Sequence, residues 1–325
     1  MTLDEVIAEL RERADRKVIA GMYRVGINPR GTLGIQIPEL QKLARRIGTD
    51  HALALDLWAT GVHEARILAA MVDDPAQATE EQMDHWAQGF DSWDVCDQVC
   101  KYLFGRSSFA YTKAKEWAGH GGQFVKRASF VLIADLAVND KKASDEPFLE
   151  FLKLAEREAV DERNYVKKSV SWAVRQIGKR NNSLNKAALA LAKRMKAQGP
   201  PPARWIASDV LRELSSAAVQ DRLKRAGKAG RTGGQRRPKK KVESGGSDTI
   251  ADTDAALDAR AELEGGEAAG ASETSERPPA TRRRRGSRGG RSRKVADTES
   301  AGAEPTSVDP GTESAGAASN EEHTP

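Results

Sequence analysis

Trp93 and Asp97 stand four residues apart, and Lys101 follows four residues later. On a helix this spacing puts an indole ring and a carboxylate on one face. A π face attracts cations, and a carboxylate attracts them more strongly where water is partly excluded, so the pair suits a cationic ligand. The same spacing also allows Asp97 and Lys101 to form a surface ion pair, which would contribute little. A second set is Lys168, Trp172, Arg175 and Lys179, spaced four, three and four. Val166, Val170, Ala173 and Ile177 repeat those spacings two residues earlier, about 200° away around a helix. The offset predicts an apolar stripe facing the core and a cationic stripe, with Trp172 in it, facing away. Trp172 then either meets a ligand or covers a neighbouring element.

These residues need helices to position them. Val/Ile/Thr alternation is absent from residues 1–225, where Ala, Leu, Glu, Lys and Arg dominate. Thr79-Glu80-Glu81-Gln82 has capping-box spacing, Asp91-Ser92 precedes Trp93, and Asn181-Asn182 separates two helical runs. Prolines at 29, 38, 75 and 200–202 punctuate the rest. About twelve helices are expected, one of them over about 162–179, with no strands. Val95, Cys96, Val99 and Leu103 lie opposite Trp93 and Asp97, which makes both cysteines packing residues.

Phe124-Val125-Lys126-Arg127-Ala128 aligns with Tyr165-Val166-Lys167-Lys168-Ser169 at a displacement of 41, and with His63-Glu64-Ala65-Arg66 at 61. A period near 40 in a helical chain predicts paired-helix repeats of the HEAT type, stacked into a solenoid with a concave face. Arg66, Arg127 and Lys168 then occupy equivalent positions on that face, a cationic row suited to a polyanion.

All seventeen aromatic residues fall between Tyr23 and Trp205, so a folded part of residues 1–225 is expected to precede a low-complexity part, 226–325. The 325 residues carry a net charge of +5, and all of it comes from the front part, because the tail holds 17 cations and 17 anions. The tail reads as disordered. Its basic runs, Arg236–Lys241 and Arg282–Arg285, serve either as a weak sequence-blind hold on nucleic-acid phosphates or as a solvated linker. No apolar run approaches the roughly 18–20 residues of a membrane span, and the acidic start, with Asp4, Glu5 and Glu9, is unlike a secretory signal. The expected location is cytoplasmic, with the protein a monomer. Two cysteines and five scattered histidines make no metal spacing, and neither a Gly-rich phosphate loop nor a Ser/His/Asp set is present, so no cofactor or metal is expected.

Five segments together resemble the AlkD-type DNA alkylation repair family: Gly34-Ile35-Gln36-Ile37-Pro38-Glu39-Leu40, His63-Glu64-Ala65-Arg66, Ser92-Trp93-Asp94-Val95-Cys96-Asp97, Phe124-Val125-Lys126-Arg127-Ala128, and Trp172 with Arg175. The similarity covers roughly residues 5–220, in order. It implies an all-α HEAT-like solenoid with a concave basic groove for duplex DNA, and monofunctional glycosylase activity on N3- and N7-alkylated purines. It also implies that Asp97 is the catalytic carboxylate, Trp93 and Trp172 are the cleft tryptophans and Arg127 is the cleft arginine. Arg175 and Lys179 match cations that grip the DNA backbone. The family reads its lesion without flipping the base out, whereas most glycosylases extrude it.

The chemistry implied is undemanding. An N-alkylated purine already carries positive charge and leaves readily, so no general acid is needed, and fixed negative charge beside the oxocarbenium-like sugar is what helps. On this reading Asp97 waits unpaired in the groove and orients the attacking water, while Arg127 holds a phosphate. The alternative is a non-catalytic helical-repeat protein that binds duplex or branched DNA through the same cations. A protein-binding scaffold, the third reading, would call for a groove of apolar or mixed charge.

Overall fold

The computed structural model describes residues 1–231, with side chains through residue 226. The predicted disorder of the tail and both of its basic runs lie outside the described residues.

Among the described residues there are fourteen α-helices and no strand. They are α1 (Leu3–Glu12), α2 (Arg16–Arg24), α3 (Ile37–Ile47), α4 (His51–Ala59), α5 (His63–Val72), α6 (Glu80–Gln88) and α7 (Trp93–Tyr102). After a short 3-10 turn come α8 (Ala110–Glu116), a second 3-10 turn, α9 (Gln123–Asn139), α10 (Glu146–Glu158), α11 (Asn164–Arg180), α12 (Asn182–Gln198), α13 (Pro201–Leu214) and α14 (Ala217–Arg231). Several start signals act as expected. Thr79 accepts from the Gln82 amide at the start of α6, and Asn181 accepts from Leu184 N at 2.9 Å at the start of α12. The last helix continues to Arg231, six residues past the expected boundary at Arg225.

The helices form two rows. In the first, α3, α5, α7, α9, α11 and α13 each pack on the next. Helices α4, α8, α10 and α12 back α5, α9, α11 and α13 respectively. This is the paired-helix stacking of HEAT-type repeats, in which each unit buries its apolar face against the next. The period is less regular than the alignment of segments predicts. Successive first-row helices from α5 to α13 begin 30, 30, 41 and 37 residues apart. The 61-residue displacement therefore spans two units, with α7 between them. Phe124 and Tyr165, the aligned aromatics of α9 and α11, are direct neighbours with ring centroids 5.6 Å apart.

The core follows the apolar periodicities. Val95, Cys96, Val99 and Leu103 are fully buried, as are Val166, Val170, Ala173 and Ile177. Cys96 and Cys100 are both buried free thiols in this packing. Trp58 stacks on Trp86 with centroids 4.2 Å apart, and Phe90, Phe104 and Trp117 continue the cluster. No helix among the described residues is long and apolar enough to cross a membrane.

One acidic group, half-buried on α9, sits there at a cost. Burial raises the Asp135 carboxyl from its usual range to about 6, against the hydrogen bond from Asn139 and the charges of Arg106 and Lys101. A carboxylate whose folded pKa lies above its unfolded value destabilises the fold once it ionises. The penalty is absent below about pH 3, grows between about pH 4 and pH 6 and is complete above that. Asp135→Asn should therefore raise stability by about 2–3 kcal/mol at pH 8 and hardly at all at pH 4. Thermal denaturation at the two pH values checks this, and an equal effect at both would remove the ionisation from the account.

Candidate functional site

Trp93 is the first residue of α7, and Asp97 lies one turn further along the same face. The trio they form with Arg127 is assembled across two units. Arg127 Nε donates to Asp97 Oδ1 at 2.8 Å, and a terminal guanidinium nitrogen donates to Oδ2 at 2.7 Å. The other terminal nitrogen donates to the Tyr165 carbonyl at 2.8 Å, tying α7, α9 and α11 together at one level. The guanidinium carbon lies 5.9 Å from the Trp93 ring centroid. Asp97 is 7 % exposed and Arg127 6 %.

This corrects two expectations. Asp97 does not stand unpaired, and Arg127 is turned towards it rather than outward to a phosphate. The planar fork of an arginine matches a carboxylate in two parallel hydrogen bonds, and that geometry competes well with any single contact.

Trp93 is half-buried because the segment between α2 and α3 lies over it. Its Nε1 donates to the Val25 carbonyl at 3.0 Å. The Tyr165 hydroxyl donates to the adjacent Gly26 carbonyl at 3.4 Å. Gly26 has φ +80°, and a Cβ there would lie 1.9 Å from the Tyr165 oxygen, so only glycine allows the close approach. Asn28 extends the overlay by donating to Asp91 Oδ2 at 2.9 Å.

A buried carboxylate anchors the far end of that segment. Glu64, on α5, has no exposed surface and accepts from the backbone amides of Leu33, Gly34 and Ile35 at 2.8, 2.6 and 3.2 Å. Two sequence motifs far apart in the chain, around Gly34 and around Glu64, thus meet in one structural joint. His63, beside Glu64, is hydrogen-bonded through Nε2 to Asp94 Oδ2 at 2.8 Å. Burial opposes charging the His63 ring, but the bond and the charge of Asp94 raise its pKa above the ordinary value.

The expected cationic row is also corrected. Arg66 is buried, donates to the Gly89 carbonyl at 2.9 Å and to Asp91 at 2.6 Å, and lies 5.6 Å from the Trp58 ring centroid. It braces the turn that leads into α7. Arg175 and Lys179 are 8 % and 7 % exposed. Arg175 pairs with Glu213 at 2.5 Å and Asp209 at 3.4 Å, and Lys179 pairs with Glu213 at 2.7 Å. Burial alone would raise the Glu213 carboxyl, but the charges of Arg175 and Lys179 hold it below the ordinary glutamate value. Lys168 is half-buried. The helical-wheel reading failed because α11 is packed on several sides, by α9, α10, α12 and α13, so a residue 200° from one apolar stripe meets the next helix.

Trp172 is half-buried on α11, two turns beyond Tyr165, and packs against the core. Its Nε1 is buried and has no acceptor among the described residues. The trio of Trp93, Asp97 and Arg127 is therefore brought together, while Trp172 stands about 10 Å further along the α11 axis at ~1.5 Å per residue. Sequence reasoning missed the overlay of Val25 and Gly26, which carries no side-chain signal. It also missed Asp209 and Glu213, whose four-residue spacing complements that of Arg175 and Lys179.

Comparison with known proteins adds the following. A family model described as DNA alkylation repair enzyme matches residues 6–204. One solved structure, described as a new family of proteins related to the HEAT-like repeat DNA glycosylases with affinity for branched DNA structures, is 20 % identical. It superposes with a TM-score of 0.55, covering 59 % of this chain and 83 % of that one, and so shows the HEAT-like fold. A designed armadillo repeat protein in complex with a (KR)4 peptide matches at 12 % identity and a TM-score of 0.29, over 76 % of this chain and 98 % of that one. No curated protein matches the chain.

Proposed function

The chain belongs to the DNA alkylation repair enzyme family, and from that premise we propose that it is a monofunctional DNA glycosylase, excising cationic N3- and N7-alkylated purines from duplex DNA. The observation that carries this reading is the juxtaposition of Trp93, Asp97 and Arg127, a π face, a carboxylate and a guanidinium drawn from two units.

In the absence of DNA the Arg127 fork holds the Asp97 side chain in a fixed orientation. A backbone phosphate, which can take the same two-bond fork, competes for the guanidinium and uncovers the carboxylate as the lesion sugar arrives. Asp97 then stabilises the oxocarbenium-like sugar and orients the water that attacks C1′. The alkylated base leaves with its electron pair and becomes neutral, so no protein acid has to protonate it. Trp93 presents its face to the cationic sugar. Trp172 packs on the neighbouring backbone through the exposed part of its ring. Recognition rests on the charge of the lesion and the weakness of its bond, with the base left unflipped, so neutral damaged bases are poor substrates.

Incubating methylated duplex DNA with the protein and measuring free 7-methylguanine and 3-methyladenine tests the reading. Trp172→Ala should weaken duplex binding and slow release together, each by about tenfold, a loss of ~1.4 kcal/mol. Normal binding and normal release by that variant would remove Trp172 from the site. The pairing of Asp97 with Arg127 favours one other reading, a DNA-binding protein without turnover. Absence of any released base with intact duplex affinity would establish it instead.

A further inference from the structure

The C-terminal ends of α9 and α11, the loop after α9 and the first half of α14 enclose a second site. It is a pocket of about 260 Å³ whose lining includes Lys141, Lys179, Arg180, Arg222 and Asp145. Lys179 is already paired with Glu213, so three further cations face one carboxylate, and Asp145 Oδ1 already accepts from Asn181 at 2.7 Å. Arg180 has an internal explanation. It donates to the carbonyls of Ala137 and Ala143 at 3.1 and 2.6 Å and closes the end of α9, where a cation is favoured by the helix dipole.

Lys141 and Arg222 have no such explanation. Neither pairs with a carboxylate among the described residues, and the one hydrogen bond from Arg222 into the pocket wall is a long one, 3.4 Å to the Lys179 carbonyl. Desolvation at the wall, and then the charges of Arg180 and Arg222, hold the Lys141 ammonium below the usual lysine range. Like charges gathered around a cavity repel one another, and a bound anion relieves that repulsion. The volume is below the roughly 300–1,000 Å³ of sites for drug-sized ligands, which suits a small oxyanion better than a nucleotide.

We propose that this pocket binds one phosphate group of the DNA backbone, at a register beyond the lesion, with Lys141 and Arg222 as its ligands and Arg180 as its fixed wall. Lys179 lines the pocket and lies two turns beyond Trp172 on α11. Trp172 and Lys179 are about 10 Å apart along the axis, and each strand of a duplex places a phosphate every ~3.4 Å of rise, so the pocket lies within reach of a phosphate a few nucleotides from one seated at Trp172. The inference deepens the DNA-binding half of the proposed function and does not depend on base excision.

The test uses the full chain with Lys141 and Arg222, both exposed at the pocket mouth, changed together to Ala. Affinity for an undamaged 25-base-pair duplex should fall about tenfold at 0.1 M salt, and the slope of log K against log salt should shrink by about one. Lys141→Arg with Arg222→Lys should restore both. Release of base at saturating protein should be unchanged, so failure of excision and failure of this pocket are read separately. A second arm titrates inorganic phosphate against chloride at equal ionic strength and follows thermal stability. Loss of a phosphate-specific stabilisation in the Ala variant, with duplex binding unchanged, would assign the pocket to free phosphate and overturn the DNA assignment. No change in either arm would overturn the site altogether.

Discussion

Asp97→Asn is expected to slow release of 7-methylguanine by about 10²-fold or more under single-turnover conditions, the loss typical of removing one preorganised electrostatic group. The variant keeps the shape of the side chain and one acceptor for Arg127, so duplex affinity should change little. It also leaves the Arg127 guanidinium, 6 % exposed, without its counter-charge. Removing one member of a buried pair costs ~3–5 kcal/mol, and the retained amide oxygen places this change at the lower end. Release must therefore be compared at a temperature where both proteins are folded. Arg127→Lys supplies the control: it preserves charge but not the two-bond fork. It should fall between wild type and Asp97→Asn, because the carboxylate remains but is no longer held in place. Equal rates for wild type and Asp97→Asn would make Asp97 a structural partner of Arg127 and nothing more.

The second large effect concerns stability. Glu64→Ala removes the acceptor for three backbone amides at once, the buried ones of Gly34 and Ile35 and the part-buried one of Leu33. Each stranded donor costs ~1–3 kcal/mol, and relaxation of the segment recovers part of it, leaving a net loss of about 3 kcal/mol or more. The segment cannot easily relax at Gly34, which has φ +82° and a hypothetical Cβ only 2.3 Å from the Asp15 carbonyl oxygen. For a domain of this size the loss corresponds to a fall in Tm on the order of 6–12 °C, readable by circular dichroism. Glu64→Gln keeps one acceptor oxygen and should lose roughly half as much. A Tm within ~2 °C of wild type for the Ala variant would show that the three amides find other partners. The same joint holds the chain that overlies Trp93, so Glu64→Ala should also weaken duplex binding before it touches the chemical step.

Helix type, the absence of strands among the described residues and the buried stripes of α7 and α11 were legible in the sequence, because each depends on neighbours three or four residues away. The alignment of Phe124 with Tyr165 was legible as a repeat of residue types, but the contact between their tilted rings was not. Family membership was legible too, through short motifs kept in order along residues 6–204. The environment of each charge was not. A helical wheel marks the side opposite an apolar stripe as outward, but a helix in the middle of a row has neighbours on that side as well. Arg66, Arg127, Arg175 and Lys179 accordingly meet Asp91, Asp97, Asp209 and Glu213, whose separations in sequence run from 25 to 38 residues.

The sequence by itself determined which residues could carry the chemistry: an aromatic and a carboxylate one turn apart, an arginine one unit later, a tryptophan among cations. Only the tertiary structure decided which of those charges face each other, which are shielded by a passing loop, and that Asp97 reaches the site already clasped by Arg127. The physical reason is range. Helical periodicity is set by backbone geometry over a single turn, whereas ion pairing is set by which turns of distant helices are brought within about 3 Å, and no local pattern encodes that distance.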